Sequence, residues 1–260
     1  MKLPKKSLGQ NFLIDKNIIK KIIKLTNLQG KHILEIGPGR GALTEEILKK
    51  NPSSLIVVEK DRELADLLKK KYKNNKILKI YNNDILKFNI EKIIKKGTKI
   101  FGNLPYNVSS QILVKIIKFK KWPPKFSDLI LMFQKEMGEK IVASYPSSNY
   151  GRLSILTYLR LINVNKFMVS PNCFRPRPKI NSLVLHFKPK KMLFNINDIS
   201  ILEKITNIFF SKKRKMINKT IKNVLSNKQI DKIPQINLSS RPSEIEPEIY
   251  YKITELIENR

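Results

Sequence analysis

The sequence predicts an α/β protein in which alternating strands and helices build a largely parallel sheet over residues 1–188, followed by a small all-helical domain over residues 189–260. Three observations carry that expectation. Apolar runs of strand length alternate with helix-spaced segments from Ile33 to Lys188. A glycine-rich turn follows the first of those strands directly, and past Pro189 the strand signals stop while helical spacing continues.

The turn is the organising feature. Ile33-Leu34-Glu35-Ile36 is broken by Gly37-Pro38-Gly39-Arg40-Gly41, and Ala42 to Leu48 returns to helical spacing. Glycines there permit positive φ and remove side chains that would hold a ligand away from backbone, while the helix start behind them offers unpaired N–H groups. The spacing is Gly-x-Gly-x-Gly with an acid two residues ahead, unlike the Gly-x-Gly-x-x-Gly of a dinucleotide site. It resembles the first motif of Rossmann-like S-adenosylmethionine-dependent methyltransferases. A second strand, Leu55 to Val58, ends on Glu59, which stands 20 residues after Gly39, the range expected of a ribose-binding carboxylate.

Composition narrows the classes. A chain of 260 residues with 41% hydrophobic residues has material for a real core. No apolar stretch reaches the roughly 20 residues of a membrane span, and the start at Met1-Lys2-Leu3-Pro4 has no signal-peptide core, so no membrane partner is expected. The lone Cys173 excludes an internal disulfide and a cysteine-based metal site, no metal is expected, and a reducing cytoplasm is the natural setting. The formal charge of +31 points to a polyanionic partner. Abundant Ile and Asn, which share A/T-heavy codons with Lys, leave a skewed genome as a second source of that charge.

Lys5 and Lys6 open a basic stretch running to Leu13, and Asp15 then caps a helix carrying Ile18, Ile19, Ile22, Ile23 and Leu25. This entry reads either as a disordered arm before a packing helix or as a lid whose lysines meet phosphate while Asn11 and Leu13 close over a cofactor. A helix from Arg62 to Tyr72 and a third strand, Ile77 to Tyr81, lead to Asp84. At the carboxyl edge of the sheet Asp84 is suited to accept from an adenine amino group; a plain turn aspartate is the alternative.

The fourth strand, Lys99 to Gly102, runs into Asn103-Leu104-Pro105-Tyr106. Asn-x-Pro-aromatic at this place is the pattern of methyltransferases that modify an exocyclic amino group of a nucleobase. The adenine amino nitrogen is a poor nucleophile because its lone pair is delocalised into the ring. Two acceptors on its hydrogens, the Asn103 side-chain carbonyl and a backbone carbonyl near Leu104, favour the pyramidal nitrogen. Pro105 fixes φ and removes a donor, and Tyr106 supplies a ring for stacking.

Ser109 or Ser110 caps a helix bearing Ile112, Leu113, Ile116 and Ile117. A fifth strand spans Asp128 to Gln134, a helix Glu136 to Ala143, and Tyr150-Gly151-Arg152-Leu153 opens another. Glu136 and Glu139 read as a solvated face with Lys135 and Lys140. Strands at Asn165 to Val169 and Ser182 to Lys188 flank a proline-stiffened loop that carries Phe174, Arg175, Arg177 and Lys179. That loop reads as a cover for a flipped base, its ring exposed and its cations on phosphate, or as a simple connection between antiparallel strands. His32, His186 and Cys173 are assigned no role. Helices are expected at Ile199 to Phe210, Arg214 to Leu225 and Pro247 to Ile257, and Lys212, Lys213 and Arg214 belong to a basic run suited to an RNA backbone.

Taken together, the chain resembles the KsgA-type ribosomal RNA adenine dimethyltransferase family over almost its whole length. The matches run in the family's order: Gln10-Asn11-Phe12-Leu13, Glu35-Ile36-Gly37-Pro38-Gly39, Val58-Glu59, Asp84, Phe101 to Asn107, Gln134-Lys135-Glu136, Tyr150 to Ser154, Phe174-x-Pro-x-Pro-Lys179 and Phe210-x-x-Lys-Arg214-Lys215. The resemblance implies a Rossmann-like fold and methyl transfer from S-adenosylmethionine to N6 of two adjacent adenosines near the 3′ end of 16S ribosomal RNA, in the 30S subunit or its precursor, by a monomer. It implies that Asn11, Leu13, Gly37, Gly39, Glu59, Asp84 and Asn103 line the cofactor site, and that Asn103 to Tyr106 with Phe174 hold the adenine. Arg40 stands where a small or apolar residue is more usual, and Arg175 and Arg177 interrupt the proline cluster. Two rivals are a 23S adenine methyltransferase of the macrolide-resistance type and a non-catalytic assembly factor. Gln134-Lys135-Glu136 and Tyr150-Gly151-Arg152 favour the small-subunit enzyme over the first; the intact Glu59, Asp84 and Asn103 tetrad opposes the second.

Overall fold

The computed structural model describes residues 9–259, so Lys5 and Lys6 lie outside the described residues. In chain order the elements are β1 (Phe12–Leu13), α1 (Lys16–Ile23), β2 (His32–Ile36), α2 (Ala42–Leu48), β3 (Ser54–Glu59), α3 (Arg62–Lys71), β4 (Leu78–Asn82), α4 (Ile90–Ile93), β5 (Thr98–Asn103) and α5 (Ser109–Ile117). There follow β6 (Phe126–Gln134), α6 (Lys135–Ile141), α7 (Arg152–Arg160), β7 (Leu161–Val169), β8 (Phe174–Arg175), β9 (Ser182–Pro189), α8 (Ile199–Ser211), α9 (Asn218–Lys222), α10 (Asn227–Ile230) and α11 (Pro247–Glu258).

Seven strands form one sheet in the order β4-β3-β2-β5-β6-β9-β7. The pairs among β4, β3, β2, β5 and β6 are parallel, and β9 returns antiparallel to β6. Near-continuous apolar runs in β2, β3 and β6 suit strands covered on both faces. After β2 the chain steps outward through β3 and β4, then crosses back to place β5 on the other side of β2. Such a reversal opens a crevice at the carboxyl ends of the two central strands. The glycine turn leaves β2 there, and the Asn103 turn leaves β5 there.

Local chemistry fixes the ends of these elements. The Asp15 carboxylate accepts from Asn17 N and Ile18 N at 2.8 and 3.0 Å and so starts α1. Asp61 does the same for α3 through Glu63 N at 3.0 Å. Ile19, Ile22 and Ile23 of α1 pack with Ile33, Leu55, Phe101 and Met132 of the sheet in one core.

Two compact units divide the described chain. The first holds the residues up to Leu113 with Pro123–Gly138 and Asn163–Pro189; the second holds Val114–Trp122, Glu139–Ile162 and the chain from Lys190. The second therefore takes in segments that the sequence reading kept with the sheet. Its interior is knitted by tyrosines: Tyr150 Oη donates to Ile245 O at 3.0 Å, Tyr250 Oη to Pro242 O at 2.7 Å and Tyr251 Oη to Ile155 O at 2.7 Å. Arg160, 2% exposed, donates to the carbonyls of Ile117 and Phe119, both at 2.6 Å, and lies over the Trp122 ring. The helix expected from Arg214 to Leu225 shrinks to α9: Lys212 to Lys215 place like charges within one turn of each other, the chain turns there instead, and the helix begins only at Asn218.

Candidate active site

A cavity of about 450 Å³ lies at the crevice, within the roughly 300–1,000 Å³ of sites that take small organic ligands. Its walls include the glycine turn from Gly37 to Gly41, Glu35, Glu59, and the Asn103 turn through Val108. Residues 9–14 form a further wall.

The glycine turn is shaped for close approach. Gly39 has φ +57°, and a Cβ there would sit 2.9 Å from Cδ1 of Phe12, so any side chain would collide with the wall opposite. Gly37 has φ +65°, and its missing Cβ would stand 3.8 Å from the backbone oxygen of Asn103, which sets the two turns face to face. Glu59 Oε2 accepts from Gly39 N at 3.0 Å and Oε1 from Asp61 N at 2.9 Å. Burial raises its carboxyl above the ordinary value, against the pull of these N–H groups. The carboxylate thus sits where the third strand ends and also holds the turn that follows the second.

On the facing side, Asn103 Nδ2 donates to the carbonyl of Asn11 at 3.2 Å. With the amide's donor end committed, Oδ1 is the end left to accept from a substrate amino group. Tyr106 Oη and Ser182 Oγ are 2.7 Å apart, which anchors the ring while it lines the cavity.

Asn11, Leu13, Gly37, Gly39, Glu59, Asn103, Leu104, Pro105 and Tyr106 are therefore brought together. Two expected members stand apart. Asp84 is not in the lining: its Oδ2 pairs with Lys60 Nζ at 2.8 Å and its Oδ1 accepts from Leu86 N at 2.9 Å. The Lys60 ammonium holds that carboxyl below its ordinary value, and Lys60 itself lines the cavity. Phe174 corrects the expectation of an exposed ring. It is 0% exposed, packed in the core with Leu13 and Ile19, because β1 pairs antiparallel with β8 and puts Leu13 opposite Phe174. A ring with no free face offers no platform for a base.

Arg175, Arg177 and Lys179 are exposed on the segment after the buried ring, and Lys212, Lys213 and Arg214 are exposed in the turn after α8. Glu35, Thr44 and Arg40, which carry no assigned role above, stand at the site or beside it. Glu35 Oε2 accepts from Thr44 Oγ1 at 2.6 Å, and Arg40 stacks on Phe12. The acid two residues ahead of Gly37 is the visible signal for Glu35, Arg40 shows as a cation where a small or apolar residue is more usual, and nothing local marks Thr44.

The residues present fit S-adenosylmethionine. Glycine backbone admits a chain of atoms past the turn, the Glu59 carboxylate suits a ribose diol, and apolar walls from Leu13, Leu43 and Leu64 suit a flat base.

Comparison with known proteins agrees with this geometry. A family model described as ribosomal RNA adenine dimethylase matches residues 1–259. A ribosomal RNA small subunit methyltransferase A from Pelagibacter ubique is 48% identical over 257 residues, 98% of this chain and 97% of that protein. A dimethyladenosine transferase from Plasmodium falciparum is 26% identical in its crystal structure, which superposes with a TM-score of 0.76 over 95% of this chain and 98% of that one. The 23S rRNA methyltransferase ErmE, 20% identical with a TM-score of 0.69 over 95% of this chain and 99% of that one, shares the fold. A Rossmann-like sheet, a glycine turn facing an Asn-Leu-Pro-Tyr turn, and a match along the whole chain lead to one conclusion: this protein belongs to the ribosomal RNA adenine dimethylase family.

Proposed function

We propose that the protein transfers methyl groups from S-adenosylmethionine to N6 of two adjacent adenosines near the 3′ end of 16S ribosomal RNA, dimethylating each while the small subunit is assembled. The observation that carries this reading is the shared cavity in which the Asn103 carbonyl faces Gly37. The name of the 48% identical relative supports small-subunit RNA as the substrate over 23S RNA.

In this reading Asn103 Oδ1 and a backbone oxygen of the same turn accept the two amino hydrogens of the flipped adenine. That geometry takes the nitrogen lone pair out of conjugation with the ring and aims it toward the glycine turn. Tyr106 stacks on the base, a contact worth about 1–3 kcal/mol. The sulfonium of the bound cofactor supplies an activated methyl group and carries the charge that transfer discharges. No side chain need act as a strong base beforehand; the rate comes from positioning and from dipoles already oriented. The exposed cations from Arg175 to Lys179 and from Lys212 to Arg214 hold phosphates.

Incubation with methyl-labelled S-adenosylmethionine and unmethylated small subunits, followed by mapping of the labelled bases, tests the reading. Label on two neighbouring dimethyladenosines near the 3′ end is expected. Label confined to 23S RNA in a parallel reaction would overturn it.

A further inference from the structure

The wall made by residues 9–13 is tied down at several separate places. Gln10 Nε2 donates to Asp61 Oδ2 at 3.0 Å, beyond the end of β3. Asn11 O receives Asn103 Nδ2. Phe12 and Leu13 pair with Arg175 and Phe174. At the glycine turn the contact is of another kind. The Phe12 ring lies close enough to Gly39 to forbid a Cβ, and the Arg40 guanidinium carbon stands 4.7 Å above the centre of that ring. A guanidinium over an aromatic face attracts through the ring quadrupole, and its flat, weakly hydrated shape suits it to stacking there.

We propose that Arg40 is a positioning residue that pins the 9–13 strap to the glycine turn through Phe12, and thereby sets how long the cofactor stays bound. The inference rests on the reading of this cavity as the S-adenosylmethionine site. Its logic is that a ligand lying along Gly37 and Gly39 is covered by the strap, so release requires the strap to lift. The hydrogen bonds to Asp61 and Asn103 hold the strap's near end, and the pairing with β8 holds its far end. The Arg40–Phe12 stack joins the middle of the strap to the turn the ligand touches. A cation on an aromatic face at a partly exposed site contributes enough for about a two- to five-fold change in a dissociation constant.

The test measures binding and dissociation of S-adenosylmethionine by the whole protein, without RNA, for the wild type, Arg40→Met, Arg40→Lys, Phe12→Leu and the double variant Arg40→Met with Phe12→Leu. Arg40→Met keeps an aliphatic stem and removes the charge. It is expected to release the cofactor about two to five times faster, with an unchanged melting temperature in the absence of ligand. Arg40→Lys should recover part of the loss, because a cation remains over the ring. The double variant should be no worse than Phe12→Leu alone, as for two residues acting as a pair. Equal dissociation rates in wild type and Arg40→Met, or losses that simply add, would overturn the proposal while leaving the cofactor reading intact. No binding of S-adenosylmethionine by the wild type would overturn both.

Discussion

The side-chain amide of Asn103 donates to the backbone carbonyl of Asn11 at 3.2 Å, across 92 residues of sequence. This bond fixes which end of the amide faces the strap and which faces the substrate. Asn103→Asp keeps the shape but sets a carboxylate oxygen against the Asn11 carbonyl, with no proton to donate. Methyl transfer by that variant is expected to fall about tenfold, as for loss of a neutral hydrogen bond at a part-buried site. Single-turnover rates of the two proteins on small subunits would check it, and equal rates would show that the strap does not orient the amide.

Glu35 yields a prediction about pH. It is 1% exposed and accepts from Thr44 Oγ1. Burial, with a smaller contribution from the neighbouring Glu59 charge, pushes its carboxyl from 4.5 up to about 8. The folded state thus holds this proton more tightly than the unfolded chain does. The stability it contributes is complete below about 4.5 and is lost as pH rises through about 8. Glu35→Gln cannot ionise. Its melting temperature relative to wild type should therefore climb steadily between those two pH values, and a constant difference would contradict the assignment.

Asp128 has the opposite sign. Burial raises its carboxyl, but hydrogen bonds outweigh that: from His186 Nε2 at 2.7 Å, from the Lys99 ammonium, and from Ser127 Oγ at 2.9 Å. The net effect holds Asp128 well below the usual carboxylate range. Its contribution is present above the unfolded value of 3.8 and disappears as pH falls below that value through the folded one. Asp128→Asn leaves the partly buried Lys99 ammonium without its counter-charge and is expected to lose about 3 kcal/mol near neutral pH. Urea titrations should show that gap narrowing in acid. A gap of the same size at pH about 3 and about 7 would rule the cluster out as its source.

The basic turn after α8 gives a salt-dependence prediction. Lys212, Lys213 and Arg214 are all exposed. Replacing the three by Ala should weaken RNA binding and flatten the plot of log affinity against log salt by about 0.7–0.9 for each phosphate that the variant no longer neutralises. An unchanged slope would mean that these side chains do not touch the backbone.

The architecture was legible because its signals are local. β2, the glycine turn and α2 are contiguous, as are β5 and the Asn103 turn, and each announces itself by periodicity or by residues with special backbone freedom. The spacing from Gly39 to Glu59 was legible for the same reason and is realised as a 3.0 Å hydrogen bond. What escaped depends on pairing between distant segments. Phe174 reads as an exposed ring in a proline-rich loop, yet the two-residue pairing of β1 with β8 buries it. His186 has no partner at any sequence spacing, and Asp128 reaches it only because β9 folds back against β6. Arg160, in the last turn of α7, satisfies the carbonyls of Ile117 and Phe119 at and just past the end of α5. A long side chain reaching orphan carbonyls in another segment leaves no mark in its own neighbourhood.

The most direct measurement compares wild type and Asn103→Ala for transfer of labelled methyl groups to unmethylated small subunits, at protein concentrations that give equal RNA occupancy in a parallel binding assay. Labelled N6 of adenine is expected with the wild type and none with the variant, at matched binding. Turnover by Asn103→Ala at the wild-type rate would contradict it.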